Sequence, residues 1–110
     1  MERRVGLRGR TDFAVTASNG FFAHQVRAVE LSGTGIVLDQ GRVLSESENP
    51  LYMHLEIRLP ERRRPIRALA RPVRSYGRQQ AFRFIEISDV DRLTLAEHLD
   101  VVHRRGVELN

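Results

Sequence analysis

The chain of 110 residues contains no cysteine, no tryptophan and no lysine. Without cysteine there is no disulfide framework, no thiolate nucleophile and no Cys-ligated zinc site. The disulfide density typical of small proteins from oxidising compartments is absent with it. Aromatic residues are few, five Phe and two Tyr. No apolar run approaches the ~20 residues that a membrane-spanning helix needs. The opening Met1-Glu2-Arg3-Arg4 is followed by no long apolar stretch, so no secretory signal is read there and a soluble cytoplasmic domain is expected, without membrane insertion. One domain is the natural count at this length. Folding should bury roughly two thirds of the unfolded chain's surface, enough for one modest core.

What the sequence does have is arginine. All 18 basic residues are Arg, against 14 acids, for a formal net charge of +4. Codon bias in a GC-rich genome produces the same lysine-free composition, so placement matters more than number. Residues 1–10 hold Arg3, Arg4, Arg8 and Arg10 against Glu2 alone. Residues 58–83 hold nine arginines against Glu61 alone, and residues 84–110 reverse the sign. Arginine presents a planar fork of donors that suits phosphate and guanine edges and stacks on flat rings.

The middle of the chain has the period of β-structure. Met53, Leu55, Ile57 and Leu59 alternate with polar or amphipathic neighbours over residues 52–59, which predicts a half-buried strand. Residues 12–18 and 21–31 are expected to be strands joined by Asn19-Gly20, a two-residue hairpin signal. A short strand is expected at 34–39, then a loop through 45–50, then a strand at 66–74 that Pro72 demotes to an edge or a bulge. The last strand, 80–87, breaks strict alternation and predicts a bulge. After Ser88, a candidate N-cap followed by Asp89 and Asp91, the period changes. Leu93, Ala96, Leu99 and Val102 recur at helical spacing, Arg104 and Arg105 suit a helix C-terminus, and Gly106 offers a stop. This reads as a mainly β protein, a small antiparallel barrel with a C-terminal α-helix over about 89–105. It comprises a flexible arginine segment at 1–11 and a single barrel domain at 12–110.

An RxxxR at Arg4–Arg8 is by itself uninformative, since the spacing recurs at 58/62, 63/67, 67/71 and 74/78. Its setting distinguishes it. It precedes the first strand, and 22 residues after Arg8 comes Glu30-Leu31-Ser32-Gly33-Thr34-Gly35, a carboxylate, a hydroxyl and a glycine turn at a strand end. With Arg3-Arg4-Val5-Gly6-Leu7-Arg8, Val29–Leu38, and Phe82-Arg83-Phe84-Ile85-Glu86-Ile87-Ser88-Asp89-Val90-Asp91-Arg92, the sequence resembles the PilZ domain family across nearly its whole length. That family shows RxxxR, then (Asp/Asn)xSxxG, then a last strand ending in Phe and a helix. The resemblance implies a six-stranded antiparallel PilZ-like β-barrel that binds cyclic di-GMP and acts as a receptor, not an enzyme. It implies a protein partner reached by a change of domain position or of surface, and ligand-binding roles for Arg4, Arg8, Glu30, Ser32 and Gly35, with Arg3 as a flanking helper.

The residue chemistry agrees. Arginines neutralise phosphate and fork onto the guanine Hoogsteen edge. A carboxylate accepts from the guanine N1–H and N2–H₂ edge. A serine hydroxyl serves phosphate or a bridging water, and glycine lets the backbone approach. Glu30 departs from the family's Asp or Asn by one methylene. Ordering it costs a few tenths to about one kcal/mol more, which bears on affinity and not on fold.

Blander readings stand beside these. The N-terminal arginines can be a solvated tail. Gly33 and Gly35 can be ordinary turn residues. Arg67, Arg71 and Arg83 can cover the outer face of edge strands and discourage edge pairing. Two alternatives to a receptor remain: a PilZ-like interaction module with a degenerate ligand site, and a small basic nucleic-acid-binding barrel. The second is disfavoured because Phe82 and Phe84 read as core, leaving only Phe21, Phe22, Tyr52 and Tyr76 for base stacking. His24, His54, His98 and His103 have no ligand-pair spacing, so no metal or other cofactor is expected. No serine has nucleophile-elbow or triad surroundings.

Overall fold

Alternating apolar side chains carry six strands into one sheet that closes on itself. The structure, a computed structural model, describes residues 8–19, 23–43, 51–60 and 62–109. The strands are β1 (Arg8–Ser18), β2 (Ala23–Ser32), β3 (Gly35–Asp39), β4 (Met53–Ile57), β5 (Ile66–Tyr76) and β6 (Gln79–Ile87), followed by helix α1 (Asp89–Leu109). Their order around the barrel is β1-β2-β3-β6-β5-β4. All neighbouring pairs are antiparallel, and β4 closes the barrel on β1 from Val15↔Ile57 to Ser18↔His54. The fold is therefore the closed six-stranded antiparallel barrel with a C-terminal helix that the sequence predicts.

The barrel interior holds Val15, Ala17, Leu31, Leu38, Ile57 and Ile66. The inward residues of β4 are Met53, Leu55 and Ile57, in the predicted alternation. Burying one such large apolar side chain contributes roughly 1.5–3 kcal/mol. Both predicted bulges are present. The β5–β6 register shifts between Leu69 and Ala70 and again between Pro72 and Arg74. The second shift accommodates Pro72, which has no N–H to give a ladder. The barrel closes, but β5 runs past the β4–β5 ladder, which ends at Met53↔Ala70, so Arg71 and Pro72 lie on a stretch paired with β6 alone, as expected of an edge, whereas Arg83 is paired on both sides.

Several boundaries differ from the sequence pattern. Strand β1 begins at Arg8, four residues before the first apolar alternation, because pairing with β2 carries its polar start. The last described β1–β2 pair is Ser18↔Ala23, and the predicted Asn19-Gly20 hairpin falls largely outside the described residues. Gly20, Phe21 and Phe22 lie outside the described residues, as do the 45–50 loop and Glu61. The helix runs through Gly106 to Leu109 rather than stopping near 105. Residues 1–7 of the N-terminal arginine segment are also outside the described range.

The helix buries a face that matches the predicted one only at Leu99. Leu95 and Leu99 are buried, together with Asp91 and His98, whereas Leu93 is 63% exposed. The spacing of Leu93, Ala96, Leu99 and Val102 has a helical period but not the right phase. Polar anchors set the phase instead. Ser88 caps the helix, its Oγ accepting from the Asp91 N–H at 3.1 Å. Asp91 Oδ2 in turn accepts from the Arg67 N–H of β5 at 3.2 Å. The His98 ring meets Phe13 of β1 edge to face, with centroids 6.2 Å apart. These contacts hold Leu95 and Leu99 over the barrel core.

Candidate functional site

The predicted site residues lie at the β2–β3 end of the barrel, and two local features aim them outward. The first is a bulge. In β2, Val26 and Ala28 are buried, so unbroken alternation would turn residue 30 inward. The β2–β3 register shifts between Ala28 and Glu30, leaving Val29 as the extra residue. A bulge re-aims every side chain after it. Leu31 therefore points into the core, and Glu30 and Ser32 are half-buried on the outer face.

The second feature is the turn that follows. Ser32 Oγ accepts from the Gly35 N–H at 3.1 Å and from the Thr34 N–H at 3.3 Å. It also lies 3.3 Å from both the Gly35 carbonyl oxygen and Thr34 Oγ1. A serine bonding the backbone two and three residues on is a common way to stabilise a tight connection. The turn is tied to β6 as well, because the Phe84 N–H donates to the Thr34 carbonyl at 2.9 Å. At Gly35 a side chain has no room: a Cβ there would run into the Phe82 carbonyl oxygen of β6. At Gly33 a Cβ would meet open space. The glycine at the last position of ExSxxG thus serves the β3–β6 contact directly.

Register brings the N-terminal arginines to this turn. Arg8 of β1 is the direct cross-strand partner of Ser32, and Arg10 is the partner of Glu30. Residues directly opposite in an antiparallel pair share one face, with Cβ atoms about 5 Å apart. Arg8, Glu30, Ser32 and Gly35 are thus gathered at one end of the barrel. Arg3 and Arg4 fall outside the described residues. The same row continues past Gly35, whose partner on β6 is Arg83, and Arg83 in turn faces Arg71 on β5. Arg10 stands beside Glu30, and Arg71 and Arg83 beside the motif, without a signature in the sequence. No local signal marks them, since only the ladder register relates positions so far apart in the chain.

Concavities on the barrel surface include one of about 650 Å³ lined by Phe13, Gln25, Arg27, Asp39 and Arg78 among others. A trough of about 580 Å³ is lined by Thr16, His54, Glu56, Arg67 and Glu86 among others. Its charges are mutually satisfied in part: Glu56 lies 2.7 Å from Arg58 and 3.5 Å from Arg67. A smaller hollow of about 270 Å³ is lined by Tyr52, Arg71, Arg83, Phe84 and Ile85. Among the described residues no group of three or more His, Asp or Glu side chains could hold a metal ion. Nor is any helix there long and apolar enough to cross a membrane.

No protein-family model matches the chain, and no curated protein matches it by sequence. Solved structures do match. The Bacillus subtilis inhibitor of motility MotI/DgrA superposes with a TM-score of 0.73 at 23% identity, covering 98% of this chain and 53% of that one. An uncharacterized Legionella protein superposes with a TM-score of 0.56 at 16% identity, covering 94% of this chain and 98% of that one. These likenesses establish a shared fold. The chain spans about half the length of MotI/DgrA.

Proposed function

We propose that this chain is a PilZ-like receptor domain for cyclic di-GMP. The observation that supports it is the β1–β2 register, in which Arg8 stands opposite Ser32 and Arg10 opposite Glu30. The register sets two arginine positions beside a carboxylate, a hydroxyl and a closely packed glycine turn. These are the groups that a guanine edge beside a phosphodiester requires. Likeness of fold to a protein named as an inhibitor of motility supports an output through a protein partner. On this reading Arg4 and Arg8 close on the phosphates, Arg3 assists, and Glu30 accepts from the guanine Watson–Crick edge. The surface so formed is what the partner reads in the cytoplasm. No chemistry is performed on the ligand.

Glu30 favours one second reading, a PilZ-like interaction module whose ligand site has decayed, because its extra methylene carries the carboxylate further from the turn. Titration calorimetry with cyclic di-GMP separates the two. The receptor reading expects saturable binding by the wild-type chain and its loss in Arg8→Ala. Absence of heat at high micromolar ligand would sink it. Binding that survives Arg8→Ala unchanged would keep the function and discard the site.

A further inference from the structure

Five residues on five strands form a continuous cross-strand row: Arg8, Ser32, Gly35, Arg83 and Arg71. The link between Ser32 and Gly35 is the turn itself, closed by the Gly35 N–H to Ser32 Oγ bond. The inward neighbours Leu31, Ile36, Phe82 and Ala70 are buried, so the row runs along the outside of the barrel. Its two ends are arginine, and the far end is a directly opposed arginine pair.

That pair runs against the usual rules of strand pairing. Like charges directly opposite each other on neighbouring strands destabilise a sheet. Several charges of the basic zone are relieved, Arg58 and Arg67 by Glu56, Arg62 by Glu97 and Arg78 by Asp39, whereas Arg63, Arg64 and Arg74 stand exposed without a carboxylate among the described residues but do not face another arginine across a ladder. Arg71 and Arg83 have no carboxylate partner among the described residues, and both are exposed. They border a hollow of about 270 Å³ whose other walls are Tyr52, Phe84 and Ile85. Tyr52 is 56% exposed, so its ring is available to a planar group. Two guanidinium forks beside an aromatic ring suit a phosphate carrying a purine.

We propose that Arg71 and Arg83, with Tyr52, form the distal half of the ligand site, taking the phosphate and base of a cyclic dinucleotide that lie furthest from Arg8. The inference rests on the receptor reading above. Ser32 and Arg83 are about two strand spacings apart, roughly 10 Å, which a dinucleotide held by long arginine side chains can bridge. The anion removes the like-charge repulsion, so the pair is held in readiness at the expense of the empty barrel.

Calorimetric titration with cyclic di-GMP tests this on the wild-type chain, on the Arg71→Gln/Arg83→Gln double variant, and on Arg92→Gln. The last removes one charge from the exposed start of the helix as a control for overall electrostatics. The expected result is that the double variant binds about tenfold more weakly or worse, as lost charge-assisted bonds imply, while Arg92→Gln stays within about twofold. Melting without ligand supplies a second readout. The double variant should melt at the wild-type temperature or a few degrees above it, because repulsion is relieved. Binding by the double variant within about twofold of wild type overturns the distal half and leaves the receptor reading intact. Absence of binding by the wild type overturns both.

Discussion

Arg8 and Ser32, 24 residues apart in the chain, face each other directly across the β1–β2 ladder. Neither a loop nor a ligand is needed to bring them together. The same ladder that closes the core at Val15↔Val26 fixes their opposition further along. The backbone positions of this part of the candidate site are therefore set by the β1–β2 ladder itself.

Gly35→Ala should be strongly destabilising, and Gly33→Ala should not. The first adds a methyl group against the Phe82 carbonyl oxygen on a neighbouring strand, and the second adds it in open space. Overpacking of this kind costs about 1–3 kcal/mol. Urea unfolding of both variants checks the contrast, and equal midpoints would refute it.

Ser32→Ala removes the acceptor of two backbone N–H groups in the turn. A loss of about 1 kcal/mol is expected, since the turn is partly solvated and water replaces some of the bonding. Cyclic di-GMP affinity should fall as well. A variant of unchanged stability would show that the turn holds without the hydroxyl.

Glu30→Asp should tighten cyclic di-GMP binding several-fold. The shorter carboxylate has one fewer rotatable bond to order, worth a few tenths to about one kcal/mol. The dissociation constants of wild type and variant decide the point, and weaker binding by Asp would show that the extra reach is used.

Leu95→Ala should cost about 2–5 kcal/mol, and Leu93→Ala should lie within about 0.5 kcal/mol of wild type. Leu95 is fully buried and Leu93 is 63% exposed. Thermal unfolding of the pair tests the phase of the helix, and a reversed order would mean that the helix packs by the face the sequence pattern suggested.

Asp91→Ala should destabilise by about 1–3 kcal/mol, because a partly buried Arg67 N–H loses its acceptor. Asp91→Asn retains an acceptor oxygen and should lose less. Comparison of the two by denaturant unfolding separates the hydrogen bond from the charge.

The bulge at Val29 shows where sequence reading runs out. Residues 23–32 carry strong β character, and ExSxxG marks a strand end. Nothing in the order of residues states that the alternation skips at Val29, yet that skip turns Glu30 outward. The helix shows the same division. Ser88 and the acids after it identify its start in the sequence. Its buried face follows from Asp91 reaching the Arg67 N–H and His98 meeting Phe13, contacts between distant segments.

By itself the sequence determined the strand periods, the helix cap, the barrel class and the motif residues Arg8, Glu30, Ser32 and Gly35. The strand periods and the cap are properties of neighbours within a few positions, where steric preference and the burial of alternate side chains act directly, whereas the barrel class and the motif residues were marked by the order and spacing of short motifs along the chain and the family resemblance they carry. Only the tertiary structure decided which strands lie side by side and in what register. It thereby set Arg8 opposite Ser32, Arg83 opposite Gly35, and Arg71 opposite Arg83. Register in a closed barrel is a collective quantity, set by every ladder and the core at once, and a shift of one residue would turn each of these side chains to the other face.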